Sequence, residues 1–222
     1  MQGIFHEILD LVYPVSCLGC GRAGGRGLCG RCLAGLASRC AMPGAQSGGR
    51  CRGGETCFSG YRAAGEYGGL IREMVLELKS SARYFASPLA RLMVASAGND
   101  PGYLVPDYVC YVPSTREKVA QRGYNPAKVL ARRVARHLGR PLFEGLVKTR
   151  PTLEQDRVAG ARRWENVAGA FGVARGGSHG SVMLVDDVLT TGATADACAR
   201  VLLDSGADSV SVLVAARTVL NS

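Results

Sequence analysis

The apolar and polar positions of this 222-residue chain follow two periods, which predict β-strands that alternate with α-helices. Val182 to Val185 contains no polar residue, as is typical of a strand covered on both faces of a parallel sheet. Between Tyr67 and Ser80 the apolar side chains recur at helical spacing, and Ser87 with Pro88 is expected to start the next helix. The predicted strands are 58–62, 108–112, 181–185 and 210–215, and the predicted helices are 67–80, 87–97, 125–138 and 195–205. This alternation predicts an α/β fold with a mostly parallel sheet flanked by helices.

The amino-acid composition and patterning of the chain change at Phe58. Glycine and cysteine are frequent before this residue, whereas ordinary globular patterning follows it. The hydrophobic content of 47% is enough for one sizeable core with a small appended unit. We therefore predict an N-terminal unit at 1–57 and an α/β domain at 58–222.

The N-terminal segment Gln2 to Tyr13 places apolar residues at roughly helical spacing with acidic residues between them, which favours a short docking helix over a membrane anchor. No apolar stretch reaches the roughly 18 residues needed to cross a bilayer. The N-terminus also lacks the basic start and the cleavage site of a secretory signal. We therefore expect no membrane insertion and a cytoplasmic location.

Seven of the nine cysteines precede residue 58. Two C-x-x-C pairs, separated by eight residues, have the spacing that lets four thiolates surround one Zn²⁺. These candidate zinc ligands are Cys17, Cys20, Cys29 and Cys32. Disulfides are the alternative, but the expected reducing compartment argues against them. Cys110 and Cys198 stand in apolar contexts, so we expect both to be small core residues.

The other three cysteines are compatible with two interpretations. They are Cys40, Cys51 and Cys57. They can form part of a second metal site that takes its fourth ligand from outside, although Pro43 and Gly54 stand where partners are expected. Alternatively, they lie without a metal in or beside a glycine-rich linker. The sequence leaves both readings open.

The positive charge is concentrated in the middle of the chain. The net charge is +9, and residues 112–170 contain 13 Lys and Arg against 5 Asp and Glu. Such an excess suits a polyphosphate substrate, a nucleic acid backbone, or both. For Arg132, Arg133, Arg136 and Arg140, which follow a helical period, a solvated helix face is the alternative.

The segment Val182 to Thr194 has the most informative order of residues. Its apolar run ends in Asp186 and Asp187, which are expected where open α/β sheets bind ligands. A turn of threonines and a glycine then opens a helix, whose N-terminus is suited to an anion. Carboxylates beside an anion site predict that this segment binds a sugar phosphate, although a capped helix start is the plain structural alternative.

This segment resembles the 13-residue signature of type I phosphoribosyltransferases, which bind 5-phosphoribosyl 1-pyrophosphate (PRPP). From Cys17 almost to its C-terminus, the chain also resembles the ComF family of competence-associated, phosphoribosyltransferase-like proteins. The cysteine pairs match the zinc ribbon of that family, and 107–125 is similar to its strand, pyrophosphate loop and Arg-Gly-aromatic-Asn element. Tyr61 and Lys79 also fall at expected places. The chain departs from the family at Tyr111 to Thr115, where Pro-Val-Pro-Leu-His is usual, and at Pro126, where Gln is usual.

The resemblance implies a role for each group of residues. The ribose hydroxyls are contacted, directly or through Mg²⁺, by the acidic pair Asp186 and Asp187. The 5′-phosphate is cradled by Thr190, Thr191, Gly192, Ala193 and Thr194. The diphosphate is approached by Ser114, Thr115, Arg116, Lys118 and Arg122. A flexible loop over the ligand contains Arg150, Thr152, Gln155, Arg163 and Asn166, although surface charges on a long loop are the alternative for its arginines.

Two functions are compatible with these residues. The first is an enzyme that transfers the phosphoribosyl group of PRPP to an unknown acceptor during DNA uptake, with release of Mg²⁺-pyrophosphate. The second is a binding module that keeps the PRPP pocket and grips single-stranded DNA, with a competence helicase as partner. The three histidines lie outside the motifs, so the sequence predicts no general base for the acceptor.

Overall fold

The structure is a computed structural model that describes residues 16–23, 27–40, 47–48, 56–80, 82–98, 103, 105–150, 164, 167–174 and 180–218. Its helices are α1 Gly30–Cys40, α2 Gly69–Ser80, α3 Ala86–Ala97, α4 Arg116–Arg122, α5 Pro126–Leu138 and α6 Ala193–Asp204. Its strands are β1 Ser47–Gly48, β2 Tyr61–Ala63, β3 Tyr108–Tyr111, β4 Leu146–Lys148, β5 Phe171–Val173, β6 Gly180–Leu189 and β7 Ala207–Arg217. A 3₁₀ turn, Arg83–Phe85, leads directly into α3.

The central sheet has the strand order β1-β2-β7-β6-β3. All neighbouring strands in it are parallel except β1, which pairs with β2 in the antiparallel sense. β4 and β5 form a separate antiparallel ladder. The prediction of a mostly parallel sheet flanked by helices is confirmed, and the carboxyl ends of β3 and β6 therefore meet at one edge.

Strand β6 is longer than its apolar run. The sequence predicts an end at Val185, but the ladder with β7 continues through Asp186, which lies opposite Val214, to Leu189. β7 is 11 residues long and offers backbone partners for that whole length. Because carboxylate side chains stand out of the ladder, they do not interrupt its hydrogen bonds. The acidic pair therefore lies within the second half of the strand.

The start of α3 also differs from the prediction. The helix begins at Ala86 rather than after a Ser87 cap, and no side chain caps it. The preceding 3₁₀ turn supplies the first hydrogen bond, since the backbone N–H of Phe85 donates to Ala82 at 3.1 Å. A helix that grows from a turn in this way has no need of a hydroxyl at its first position.

The two faces of the sheet carry different helices. One core contains buried residues of α2, α3 and α5, and the other contains α6 with the β4–β5 ladder. Cys110 and Cys198 are fully buried in the second core, which confirms the expectation for both. The first core also includes Cys17, Leu28 and Leu33 from the N-terminal unit, so this unit shares its apolar packing with the α/β domain.

Gly27 holds the N-terminal unit close to the 3₁₀ turn. Its φ is +89°, and a Cβ at this position would lie 2.9 Å from Phe85 Cε1. We expect Gly27→Ala to lower the free energy of unfolding by about 1–3 kcal/mol, because the backbone conformation and the contact both disfavour a side chain. Chemical denaturation measures this change. Gly35→Ala is the matched control, because Gly35 lies within α1 with nothing near its Cβ position, and we expect it to stabilise the protein slightly.

Candidate functional site

The four predicted zinc ligands come together in the structure. The Sγ atoms of Cys17, Cys20, Cys29 and Cys32 all lie within 4.8 Å of one another. The Sγ atoms of Cys20 and Cys29 are 3.8 Å apart. Zn–S bonds of about 2.3 Å in a tetrahedron place the sulfur atoms about 3.8 Å apart. The donor set and its spacing therefore fit one zinc ion.

Backbone N–H groups prepare these thiols for a metal. The N–H of Cys29 donates to Cys17 Sγ at 3.2 Å, and the N–H of Cys32 faces Cys29 Sγ at 3.5 Å. The bond from Cys29 lowers the pKa of the Cys17 thiol to about 6, despite the opposing effect of burial. The neighbouring thiols, Cys29 first, raise the pKa of Cys32. Four thiolates thus need a cation at their centre, which a structural zinc ion would supply.

Cys40 and Cys57 lie apart from this cluster. The buried thiol of Cys40 donates to the carbonyl of Ala64 at 2.7 Å. The backbone N–H of Cys57 donates to the Asp196 carboxylate at 2.5 Å. Cys51 lies outside the described residues. The four-cysteine group is the single cluster of potential metal ligands within the part of the chain that the structure describes.

The acidic pair of β6 is partly buried and faces a lysine from α2. Asp187 Oδ1 lies 3.2 Å from Lys79 Nζ, with side chains that are 15% and 29% exposed, respectively. Asp186 accepts a hydrogen bond from the backbone N–H of Asp187 at 2.9 Å. Burial and the neighbouring Asp187 raise the pKa of Asp186. Burial alone would lower the pKa of Lys79, but the two carboxylates raise it above its ordinary value, so the lysine is charged at neutral pH.

The raised pKa of Asp186 makes stability depend on pH. In the folded protein its pKa is raised from 3.8 to about 8, so folding retains a proton that the unfolded chain releases. The resulting stability is complete below about pH 4 and is lost as the pH rises through about 8. We expect Asp186→Asn to match the wild type in stability near pH 4 and to exceed it by about 1–3 kcal/mol at pH 8. Melting curves across this range measure the difference, and a constant difference at all pH values would contradict the expectation.

The threonine-glycine turn follows β6 and opens α6. Gly192 has a φ of +84° and stands at the N-cap without a side-chain cap. The buried Thr191 accepts a hydrogen bond from the backbone N–H of Ala193 at 3.4 Å. Thr190 and Thr194 are half-buried beside it. The turn thus ends at the N-terminus of α6, where the first backbone N–H groups of a helix suit phosphate oxygens.

The predicted pyrophosphate loop is partly helical. Val112 to Thr115 leave the end of β3, and Thr115 then caps α4, accepting from the N–H of Lys118 at 3.4 Å. A cavity of about 210 Å³ lies beside the start of this helix. It is lined by Thr115, Arg116, Glu117, Lys148, Thr149 and Arg150. Three basic residues against one acidic residue make this cavity suitable for an anion such as a diphosphate.

The other predicted diphosphate residues, Ser114, Lys118 and Arg122, do not line this cavity. Burial, and after it the charge of nearby Lys118, lowers the pKa of Lys148. Arg122 lies at the far end of α4, where its charge acts on Tyr124. Ser114 is half-buried in the loop between β3 and α4.

The Arg-Gly-Tyr-Asn element fixes this loop to its surroundings. The Asn125 side chain donates to the carbonyl of Val112 at 3.0 Å and accepts from the N–H of Ala127 at 2.9 Å. It thereby ties the end of β3 to the start of α5. The Tyr124 hydroxyl donates to the carbonyl of Leu78, on α2. The motif therefore has a structural role that the sequence alone did not indicate.

Of the predicted flexible-loop residues, only Arg150 lies within the described part of the chain. The guanidinium of Arg150 donates to the carbonyl of Ala168 at 2.5 Å, which holds it beside the cavity. Thr152, Gln155, Arg163 and Asn166 lie outside the described residues, as does the segment Gln2 to Tyr13. In the described part of the chain, no helix has both the length and the apolarity that a membrane span requires.

Lys148 is a candidate site residue that the sequence motifs did not single out. It lines the basic cavity, and its charge also acts on Asp186. The signal that was available is its position at the end of the short strand β4, two residues before Arg150. Charge at the end of a strand is common, so the sequence alone does not distinguish it from a surface lysine.

The chain is similar to two groups of proteins with names that refer to DNA and to competence. It is 30% identical over 192 residues to the DNA utilization protein YhgH of Escherichia coli O6:H1. The aligned region covers 83% of this chain and 85% of the relative. YhgH of Salmonella typhimurium is 29% identical over 192 residues, with coverage of 83% and 85%. Competence protein F of Haemophilus influenzae is 31% identical over 136 residues, which cover 58% of this chain and 59% of the relative.

Among solved structures, the chain is similar to a purine phosphoribosyltransferase from Pyrococcus horikoshii. The two are 18% identical with a TM-score of 0.35, over 58% of this chain and 70% of that one. No protein-family model matches the chain.

Proposed function

The chain belongs to the ComF family, with DNA utilization protein YhgH and competence protein F, and on this premise we propose that it binds PRPP or a related ribose phosphate and acts in DNA uptake. Its proposed chemistry is transfer of the phosphoribosyl group to an unknown acceptor. In that reaction a nitrogen of the acceptor attacks C1 of the ribose, the bond from C1 to the diphosphate oxygen breaks, and the nitrogen loses its proton.

The proposal rests mainly on three features that lie at one edge of the sheet: the loop after β3, the acidic pair of β6 and the threonine-glycine turn. β3 and β6 are adjacent and parallel, so the loop after β3 and the acidic pair near the end of β6 share that edge. The threonine-glycine turn begins one residue after β6 ends. Lys148 belongs both to the basic cavity and to the surroundings of Asp186. PRPP needs three sites side by side: an anion site for its 5′-phosphate, acceptors for its ribose hydroxyls and a basic site for its diphosphate. The turn, the acidic pair and the basic cavity are proposed to supply them.

The residues of this edge would mainly position the ligand and neutralise its charge. Asp186 and Asp187 are proposed to accept hydrogen bonds from the ribose hydroxyls, while the turn at 190–194 donates to the 5′-phosphate. Arg116, Lys148 and Arg150 are proposed to hold the departing diphosphate. Mg²⁺, when it is bound with PRPP, would neutralise further charge on the diphosphate.

Calorimetric titration with a matched pair of sugars tests this proposal. We expect ribose 5-phosphate to bind roughly ten- to a hundredfold more tightly than 2-deoxyribose 5-phosphate, since the deoxy sugar lacks one hydrogen bond to a charged group. PRPP with Mg²⁺ should bind more tightly than either. Equal affinity for the two sugars would contradict recognition of the ribose hydroxyls. Release of pyrophosphate from PRPP in the presence of nucleobases tests turnover separately.

The second candidate function is a non-catalytic module that binds single-stranded DNA and works with a helicase. It is favoured by the exposed basic face of α5, which carries Arg132, Arg136 and His137. Of these, Arg132 faces Glu144 at 3.3 Å. We expect binding of single-stranded DNA to weaken steeply with salt, with a logarithmic slope of about −0.7 for each phosphate neutralised. Negligible binding at low salt would contradict this candidate and leave the PRPP proposal in place.

A further inference from the structure

Two lysines face the acidic pair of β6 from different elements. The ammonium group of Lys79, on α2, lies 3.2 Å from Asp187 Oδ1. The charge of Lys148, on β4, acts on Asp186. α2 packs in the core on one face of the sheet, whereas Leu146 of β4 packs in the core on the other. Because Asp186 holds a proton below about pH 8, the two ammonium groups more than balance the charge of the pair at neutral pH.

We propose that Lys79 determines what the acidic pair binds. Its ammonium group lies at Asp187 in the position that a divalent cation would otherwise take, and so reserves the pair for neutral hydroxyl groups. Divalent cations such as Mg²⁺ and Mn²⁺ prefer carboxylate oxygens, but a fixed positive charge in contact with the same oxygen repels them. A hydroxyl group donates a hydrogen bond without adding charge. That the hydroxyls belong to a ribose rests on the proposed function, whereas the exclusion of cations does not.

The packing of α2 holds this lysine in place. Met74, Val75 and Leu78 of the helix are fully buried, so the last turn is fixed against the core. The carbonyl of Leu78, one residue before Lys79, accepts the Tyr124 hydroxyl. Exposed ion pairs are usually loose, but here the helix that carries the ammonium group is anchored and the carboxylate is mostly buried. The fold therefore keeps Lys79 beside Asp187 permanently, and the exclusion of a divalent cation does not depend on a transient surface contact.

Binding of Mn²⁺ to the zinc-loaded full chain, followed by electron paramagnetic resonance without PRPP, tests this inference. We expect Lys79→Met to bind Mn²⁺ roughly tenfold or more tightly than the wild type. The gain should vanish in Lys79→Met/Asp187→Asn, and Lys79→Arg should exclude Mn²⁺ as the wild type does. Lys128→Met is the control, because it also removes a lysine that contacts a carboxylate, that of Glu144 at 2.5 Å, while Arg132 remains 3.3 Å from Glu144. Lys79→Gln repeats the test should the Met variant not fold.

Two outcomes would overturn the inference. One is a Lys79→Met variant that binds Mn²⁺ no better than Lys128→Met does, even if its melting temperature falls, since that result fits a lysine that only ties α2 to the sheet. The other is a wild-type protein that already binds Mn²⁺ through Asp187. A wild-type protein that fails to bind PRPP would contradict the proposed function and leave the Mn²⁺ comparison intact.

Discussion

The double variant Asp186→Asn/Asp187→Asn is expected to lose affinity for PRPP by roughly a hundredfold or more while it keeps its fold. A hydrogen bond to a charged group contributes about 1.5–3 kcal/mol, and above about pH 8, where Asp186 is ionised as well, the variant replaces two charged acceptors with weaker neutral ones. The fold is expected to survive because the ladder between β6 and β7 uses backbone groups alone. Calorimetric titration measures the affinity, and circular dichroism checks the fold.

Asp208→Asn is the matched control for this loss. Asp208 is exposed near the start of β7, whereas the acidic pair lies in the second half of the neighbouring parallel strand β6, so the change removes a carboxylate outside the site. We expect it to bind PRPP as the wild type does. If the double variant also bound PRPP with unchanged affinity, the ribose site would have to lie elsewhere.

Loss of one zinc ligand is expected to have the largest effect on stability. Cys17→Ser should release the zinc ion and lower the free energy of unfolding by about 3 kcal/mol or more, because metal binding and folding of a four-cysteine unit are coupled. Cys17 is 1% exposed and belongs to the core shared with α2 and α3, so the disturbance reaches the α/β domain. Metal analysis of the purified variant and chemical denaturation measure the two effects.

Cys57→Ser provides the comparison for that variant. Cys57 is half-buried and packs against the second core, away from the four-cysteine cluster. This change should leave one equivalent of zinc bound and alter stability little. A wild-type protein that folds without any metal would contradict the zinc assignment.

The main elements of the fold could be predicted because their apolar residues have clear periods. Val182 to Val185 and the helix at 125–138 are read directly from the sequence, and the structure places them almost as expected. The end of β6 could not be predicted, since its extension depends on the length of β7, its partner in the ladder. Helix α4 was missed because none of its seven residues is buried and it therefore has no apolar period.

The candidate site could be predicted where its residues lie within recognisable sequence motifs. The acidic pair and the threonine turn lie in one segment, so a single motif indicates both. Lys79 and Lys148 come from elements more than 30 residues away in sequence, and only the packing of α2 and β4 on the sheet brings their charges to the pair. The four cysteines were predictable for the opposite reason, because their short spacing fixes their geometry locally.

The core shared by the four-cysteine unit and the α/β domain limits how this chain can be recombined. Leu33 packs in the same cluster as Leu89 of α3, and Gly27 lies against the ring of Phe85. A domain with its own separate hydrophobic core can be transferred between proteins as an independent unit. This one would leave an apolar surface on α2 and α3 wherever it was removed. Gene fusions and designed chimeras should therefore preserve the two units together or replace that surface with polar residues.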